Sequence, residues 1–265
     1  MAKLSSLEQA SQIVTTEKEF SEMPLETCPR HGCVKRFETV FMLGESLRLG
    51  SGCLQCDQEA AKEVENEESR RREIAFPREQ TTAGIPLRYR GATLSPFPIT
   101  APGQEDVLDA AKDFSCTSGE DSTGFILMGK VGAGKTNLAC AVLNEFLRKG
   151  LTARFLSAVQ AVRFIKDSWR KDSDRTENQA IKSLLSPHLL IIDEIGVQFG
   201  SETEHLFLNE IVNERYNAKK PTILVTNLDM KGFTELLGDR VVDRFREGGR
   251  VLVFDWGSQR QRNNK

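Results

Sequence analysis

The chain carries almost no net charge: 36 Lys and Arg stand against 38 Asp and Glu in 265 residues, a formal charge of −2. A global electrostatic pull toward nucleic acid is thereby excluded, and any such contact has to come from a local patch. No apolar run approaches the ~20 residues that cross a bilayer. The opening Met-Ala-Lys-Leu-Ser-Ser-Leu-Glu has no apolar signal core. A cytoplasmic protein with no membrane partner is the expectation. Internal repeats and low-complexity tracts are missing as well. What remains is 39% hydrophobic residues, enough for a sizeable core, in a length that suits one large domain or two smaller ones.

Cysteine is sparse outside one segment. Of six cysteines, Cys116 and Cys140 stand alone, while Cys28, Cys33, Cys53 and Cys56 fall close together. Clustered cysteines in a reducing compartment point to metal before disulfide. Cys28-x-x-His31 and Cys53-x-x-Cys56 are two knuckles offering two ligands each, the set that tetrahedral Zn²⁺ takes. Cys33 is a softer ligand than His31 but at a longer spacing, so His31 is preferred and Cys33 stays open. The expected organisation is a flexible arm over 1–24, a zinc-binding partner module over 25–60 and a charged linker helix over 61–82. The Glu- and Arg-rich run in that helix reads as a solvated face. The remainder, 83–265, forms the main domain.

The most informative stretch is Gly129-Lys130-Val131-Gly132-Ala133-Gly134-Lys135-Thr136, directly after the apolar run Phe125–Met128 and leading into Asn137. It predicts a strand, a glycine-rich turn and a helix start. Backbone N–H groups in such a loop cradle phosphates, Lys135 reaches the β- and γ-phosphates, and the Thr136 hydroxyl can hold Mg²⁺. Leu138, Ala139, Val142, Leu143, Phe146 and Leu147 then share one helical face. Further apolar runs at 153–157, 189–193, 222–226 and 250–254 alternate with amphipathic segments. That alternation predicts a five-stranded parallel α/β sheet covered by helices on both faces.

The run Leu189–Ile192 ends in Asp193-Glu194. Two acids at the carboxyl end of a buried strand are costly unless they meet a cation. Asp193 is suited to Mg²⁺ and Glu194 to polarising the attacking water. The strand at 222–226 ends in Thr226-Asn227, where Asn227 suits a γ-phosphate contact, with Thr226 as the fallback and a turn cap as the other reading. Arg240 and Arg244 lie four apart on one helix face. They suit either the phosphate of a neighbouring subunit or intrahelical pairing with Asp239, Asp243 and Glu247. In the stretch from Phe155 to Lys171, Phe155 and Phe164 read as core, and Lys166, Trp169 and Arg170 are candidates for contacting single-stranded nucleic acid.

Taken in order, the glycine loop, Ile-Ile-Asp-Glu-Ile-Gly-Val-Gln, Thr-Asn and Leu-Gly-Asp-Arg-Val-Val-Asp-Arg resemble the bacterial and phage helicase loaders of the DnaC type, which are AAA+ ATPases. The resemblance spans roughly residues 83 to 260, from Ala83-Gly84-Ile85-Pro86 to Phe254-Asp255-Trp256. It implies a P-loop AAA+ core without the C-terminal helical lid, and an ATPase that loads the replicative hexameric helicase onto single-stranded DNA as an ATP-bound homo-oligomer. It further implies catalytic roles for Glu194, Asp193, Lys135, Asn227, Arg240 and Arg244, with ATP and Mg²⁺, beside the Zn²⁺ that the cysteine spacing predicts. A transposition helper ATPase acting on duplex DNA and an adaptor with a purely structural nucleotide site are the alternatives. The cysteine-bearing N-terminal module departs from the helical N-terminus of the enterobacterial loaders and resembles some phage-borne and Gram-positive relatives.

Overall fold

The computed structural model describes residues 27–35, 37–42, 45–50, 53–95, 99–119, 121–196 and 202–258. The arm expected over 1–24 lies outside them, as does the Val197-Gln198 pair. Two compact units divide between Glu73 and Ile74.

In the N-terminal unit, β1 (Phe37–Met42) pairs antiparallel with β2 (Glu45–Gly50). Helix α1 (Leu54–Thr82) follows. It begins inside the cysteine module, ahead of the linker helix expected to start at 61, and takes in Cys56. Arg71 pairs with Glu67 at 2.8 Å and Arg72 with Glu68 at 4.0 Å, all four well exposed. Such i,i+4 pairs add only a few tenths of a kcal/mol each, in keeping with a solvated face.

The larger unit contains α2 (Gln104–Cys116), β3 (Gly124–Gly129), α3 (Lys135–Arg148), β4 (Ala153–Ser157), α4 (Ala158–Lys166), α5 (Glu177–Leu185), β5 (Leu189–Ile195), α6 (Glu202–Asn217), β6 (Thr222–Thr226), α7 (Met230–Leu237), α8 (Asp239–Gly248) and β7 (Gly249–Phe254). All sheet pairings are parallel and the order is β4-β5-β6-β3-β7. The strand carrying the glycine loop therefore lies between β6 and β7, and the five expected strands are the five observed. Leu189, Leu190, Ile191 and Ile192 are each 0% exposed, because a strand covered on both faces tolerates no polar side. Successive residues feed opposite layers: Phe125 and Leu127 pack with Leu138, Leu143 and Phe146, whereas Ile126 and Met128 pack with Ile165, Leu184, Phe207 and Phe245. α3 ends where its basic last turn meets Gly150, which adopts φ +75°.

The stretch after α1 packs onto the core through Ile85, Ala92 and Leu94, while Leu87 is 79% exposed. Phe155 N–H donates to the Ala83 carbonyl at 2.6 Å, so this segment is tied to the edge strand β4. Gln80 donates to Asn144 Oδ1 at 2.8 Å, and Asn144 donates to the carbonyls of Ala92 at 2.9 Å and Arg90 at 3.2 Å. The buried amides thus satisfy one another and three chain segments are joined.

Arg215 on α6 is 0% exposed and is bonded to no carboxylate among the described residues. It donates to the carbonyls of Leu184, Leu185, Pro187, His188 and Pro221 and to Thr222 Oγ1, at 2.7 to 3.3 Å. It thereby closes the end of α5 and the entries to β5 and β6. Burial pushes its guanidinium down to about 9, which leaves it cationic at neutral pH. No helix among the described residues is long and apolar enough to cross a membrane.

Candidate nucleotide site and candidate metal centre

The loop between β3 and α3 lies at the carboxyl end of the sheet, where ligands of such folds bind. Its conformation requires glycine at two points. A Cβ on Gly129 would lie 2.2 Å from the Phe254 carbonyl oxygen, and one on Gly132 would lie 2.3 Å from Ser258 Oγ. Both residues have positive φ, as does Gly134. The N–H groups of Val131, Gly132 and Gly134 donate to nothing among the described residues. Lys130 is exposed, Asn137 is half-buried in the first turn of α3, and Ala133 is buried in the core.

Lys135 is 5% exposed, and its ammonium donates to the carbonyls of Gly129 at 2.7 Å and Lys130 at 2.8 Å and to Asn227 Oδ1 at 2.9 Å. Asn227 thus comes from β6 to the mouth of the loop. Thr226 does other work: its hydroxyl donates to the Ile195 carbonyl at 2.8 Å and accepts the Leu228 N–H at 3.0 Å, splicing β6 to β5. The next helix is capped by Asp229, whose Oδ1 accepts the Gly232 N–H at 2.8 Å, so Asn227 is not needed as its cap.

Thr136 Oγ1 donates to Asp193 Oδ2 at 3.0 Å. A hydroxyl and a carboxylate this close are the hard oxygen donors that Mg²⁺ takes beside a phosphate. Burial, with Glu194 nearby, pushes the Asp193 carboxyl above the usual carboxylate range against the opposing Glu194 N–H and Thr136 bonds. A cation at this carboxylate would relieve that cost.

Register slips between Ile192 and Ile195 on β5, and Glu194 adopts φ +59° with its side chain exposed. Its N–H donates to Asp193 Oδ1 at 2.7 Å. A bulge of this kind re-aims side chains at the end of a strand. The left-handed backbone of a glutamate is costly enough to mark a functional position. Nothing in the apolar-Asp-Glu string announces the bulge.

The two arginines of α8 part company. Arg244 donates to Asn213 Oδ1 and stacks 4.6 Å from the Tyr216 ring centroid, fastening α8 to α6. Glu247 accepts from Tyr216 on α6, and Asp243 pairs within α8 with Arg246 at 3.3 Å, so neither acid is bonded to Arg240 or Arg244. Arg240 is exposed and makes no hydrogen bond or ion pair among the described residues. Of the nucleic-acid candidates, Lys166 pairs with Glu204 at 3.0 Å, Trp169 donates to Glu177 at 2.5 Å, and Arg170 pairs with Asp172 at 3.3 Å. The Trp169 ring remains half exposed. Phe155 is buried as expected, and Phe164 packs half-buried against the core while carrying Arg154 and Arg175 within 4.3 and 3.9 Å of its centroid.

In the N-terminal unit the donor atoms of Cys28, His31, Cys53 and Cys56 all lie within 4.8 Å of one another. Cys28 Sγ is 3.7 Å from Cys56 Sγ. His31 Nδ1 is 3.7, 3.4 and 3.4 Å from the Sγ atoms of Cys28, Cys53 and Cys56. Zn–S and Zn–N bonds in a tetrahedron demand edges of roughly 3.8 and 3.5 Å, so the four donors fit zinc. His31 turns its other nitrogen to Glu59 Oε1 at 3.0 Å, the outer contact that fixes which nitrogen faces the metal. The Cys56 N–H donates to Cys53 Sγ at 3.3 Å, and this bond holds that thiol down to about 6. Cys33 is outside the four-donor group; its carbonyl accepts the Cys28 N–H at 2.8 Å. One zinc per chain is the expected metal content by atomic absorption. Cys53→Ser should lower it at least about tenfold at limiting zinc while nucleotide binding persists, and Cys33→Ser should not. Full zinc content in Cys53→Ser protein would refute the site.

The family model of the IstB-like ATP binding protein matches residues 64–264. The replicative helicase loader DnaC of Escherichia coli strain K12 is 33% identical over 223 residues, 84% of this chain and 89% of that protein. Among solved structures, the DnaC helicase loader superposes with a TM-score of 0.57 at 25% identity, covering 63% of this chain and 99% of that one. The replication initiator DnaA bound to AMPPCP and single-stranded DNA superposes with a TM-score of 0.55 at 26% identity, covering 65% of this chain and 51% of that one. With the P-loop, the five-stranded parallel sheet and these relationships, the chain belongs to the IstB-like ATP-binding proteins and to the DnaC type of AAA+ helicase loaders.

Proposed function

We propose that this protein spends ATP to place the replicative hexameric helicase on single-stranded DNA. The observation that carries the reading is the convergence of Lys135, Thr136, Asp193 and Asn227 at one mouth in a DnaC-type chain. Lys135 grips the terminal phosphates in exchange for the loop carbonyls it now meets. Thr136 and Asp193 would hold Mg²⁺, which when bound neutralises charge gathering on the phosphates. Glu194 orients and polarises the attacking water, and Asn227 steadies the same end.

Arg240 completes the site of a neighbouring copy, so ATP joins subunits and hydrolysis parts them. Arg244 positions the helix that carries it. Single-stranded DNA lies against the half-exposed ring of Trp169 with help from Arg170, because stacking on an aromatic face needs no base sequence. The zinc-bearing module, residues 25–60, is the element that grips the helicase. Co-elution of the protein with its cognate helicase, with and without ATP, tests the reading; no complex under either condition would end it.

A further inference from the structure

Trp256 follows β7 and is 8% exposed, packed against Phe254 with ring centroids 4.8 Å apart and planes tilted by 45°. Its indole N–H donates to the carbonyl of Ala133 at 2.8 Å in a buried setting. Ala133 is the one loop residue turned into the core, and its peptide partner is Gly134. In a trans peptide the C=O and the following N–H point in opposite directions. Holding the Ala133 carbonyl toward the indole therefore aims the Gly134 N–H away from it, to a side where that N–H has no partner among the described residues. Space around this bond is tight: a Cβ on Gly129 would run into the Phe254 carbonyl and one on Gly132 into Ser258 Oγ, whereas one on Gly103 would sit 4.0 Å from the indole ring.

We propose that Trp256 is a positioning residue for the phosphate site, pre-aiming the Gly134 N–H at the nucleotide's phosphates. A free loop would have to order itself on each binding event, and a pre-aimed donor avoids that entropy. The inference rests on the reading that the loop binds phosphate, but makes a separate demand on it. By linkage, a hydrogen bond that favours ATP must itself be favoured by ATP.

Trp256→Phe keeps an aromatic ring on Phe254 and deletes only the N–H. ATP affinity should fall about tenfold, the scale of one aimed donor, with kcat at saturating ATP within about threefold of the parent. A general loss of structure would lower kcat as well. In the otherwise intact chain carrying Trp169→Phe, Trp256 is the sole tryptophan, and exchange of its indole proton, read by NMR, should slow severalfold on saturation with ATP. That readout survives even if Trp256→Phe folds poorly. Unchanged ATP affinity in folded Trp256→Phe protein, or indole exchange indifferent to ATP, overturns the proposal. Lys135→Ala is run beside it: if that variant also binds ATP normally, the phosphate reading itself has failed, whereas lost binding there with an unaffected Trp256→Phe sinks only the role of the indole.

Discussion

Glu194→Gln protein is expected to bind ATP as tightly as the parent and to hydrolyse it at least about 10²-fold more slowly, the scale lost with a general base. The carboxylate is exposed at the end of β5 and makes no bond to the loop, so its removal leaves the phosphate cradle intact. Glutamine keeps the shape and the polarity but cannot accept the proton of the attacking water. Equal turnover of the two proteins would remove Glu194 from the chemistry and favour a nucleotide held for structure alone. The same experiment exposes the shared site. Arg240→Ala should also be inactive, because the guanidinium acts on the next subunit. Mixing the two inactive proteins pairs an intact Glu194 on one chain with an intact Arg240 on its neighbour. Roughly a quarter of interfaces are then wild type under random assembly in a head-to-tail array, and hydrolysis returns. Arg244→Ala behaves differently: bound to Asn213 and Tyr216 within its own chain, it should cost stability first.

Replacing Arg215 by Met should lower stability by about 3–5 kcal/mol and the midpoint of thermal unfolding by roughly 10 °C. Methionine refills much of the volume but leaves the carbonyls of Leu184, Pro187 and His188 and the Thr222 hydroxyl without the donor they have now, while the carbonyls of Leu185 and Pro221 keep Lys220 Nζ at 3.0 Å and the Leu190 N–H at 3.4 Å. Each orphaned group then carries its desolvation cost. Lysine is no substitute, because three donors on a single ammonium cannot serve acceptors spread over the ends of α5, β5 and β6. Calorimetry on the nucleotide-free protein decides it; a midpoint within 2–3 °C of the parent, on the order of 1 kcal/mol, would mean that the carbonyl cage is relaxed by water instead.

The core strands were legible because a buried parallel strand is written as an unbroken apolar run, as at Leu189–Ile192. The glycine loop was legible because phosphate binding needs a fixed spacing of glycine, lysine and threonine. The contacts of Lys135 with Asn227 and of Thr136 with Asp193 were legible only as a convergence at the strand ends, since nothing local says that positions 135 and 227 meet. The burial of Arg215 has one faint signal in the sequence: Leu208, Ile211, Val212 and position 215 follow one helical stripe, so the arginine continues an apolar face. Trp256 is legible as part of Phe-Asp-Trp, but its target, a carbonyl 123 positions earlier in the chain, is set by β7 lying beside β3. The start of α1 at Leu54 is not legible, because Leu54–Glu65 has a charged, weakly periodic pattern and includes Cys56 of the cysteine cluster. The separation of Arg240 from Arg244 depends on where Asn213 and Tyr216 come to rest, which helical spacing does not encode.

The most direct measurement is the transfer of the cognate replicative helicase to a closed circular single strand, scored as helicase retained on DNA after the protein is washed away. Wild-type protein with ATP should deposit the helicase, and Lys135→Ala should deposit none above the level without ATP. Deposition by Lys135→Ala equal to wild type, or ATP-dependent coating of duplex DNA with no affinity for the helicase, would contradict the account.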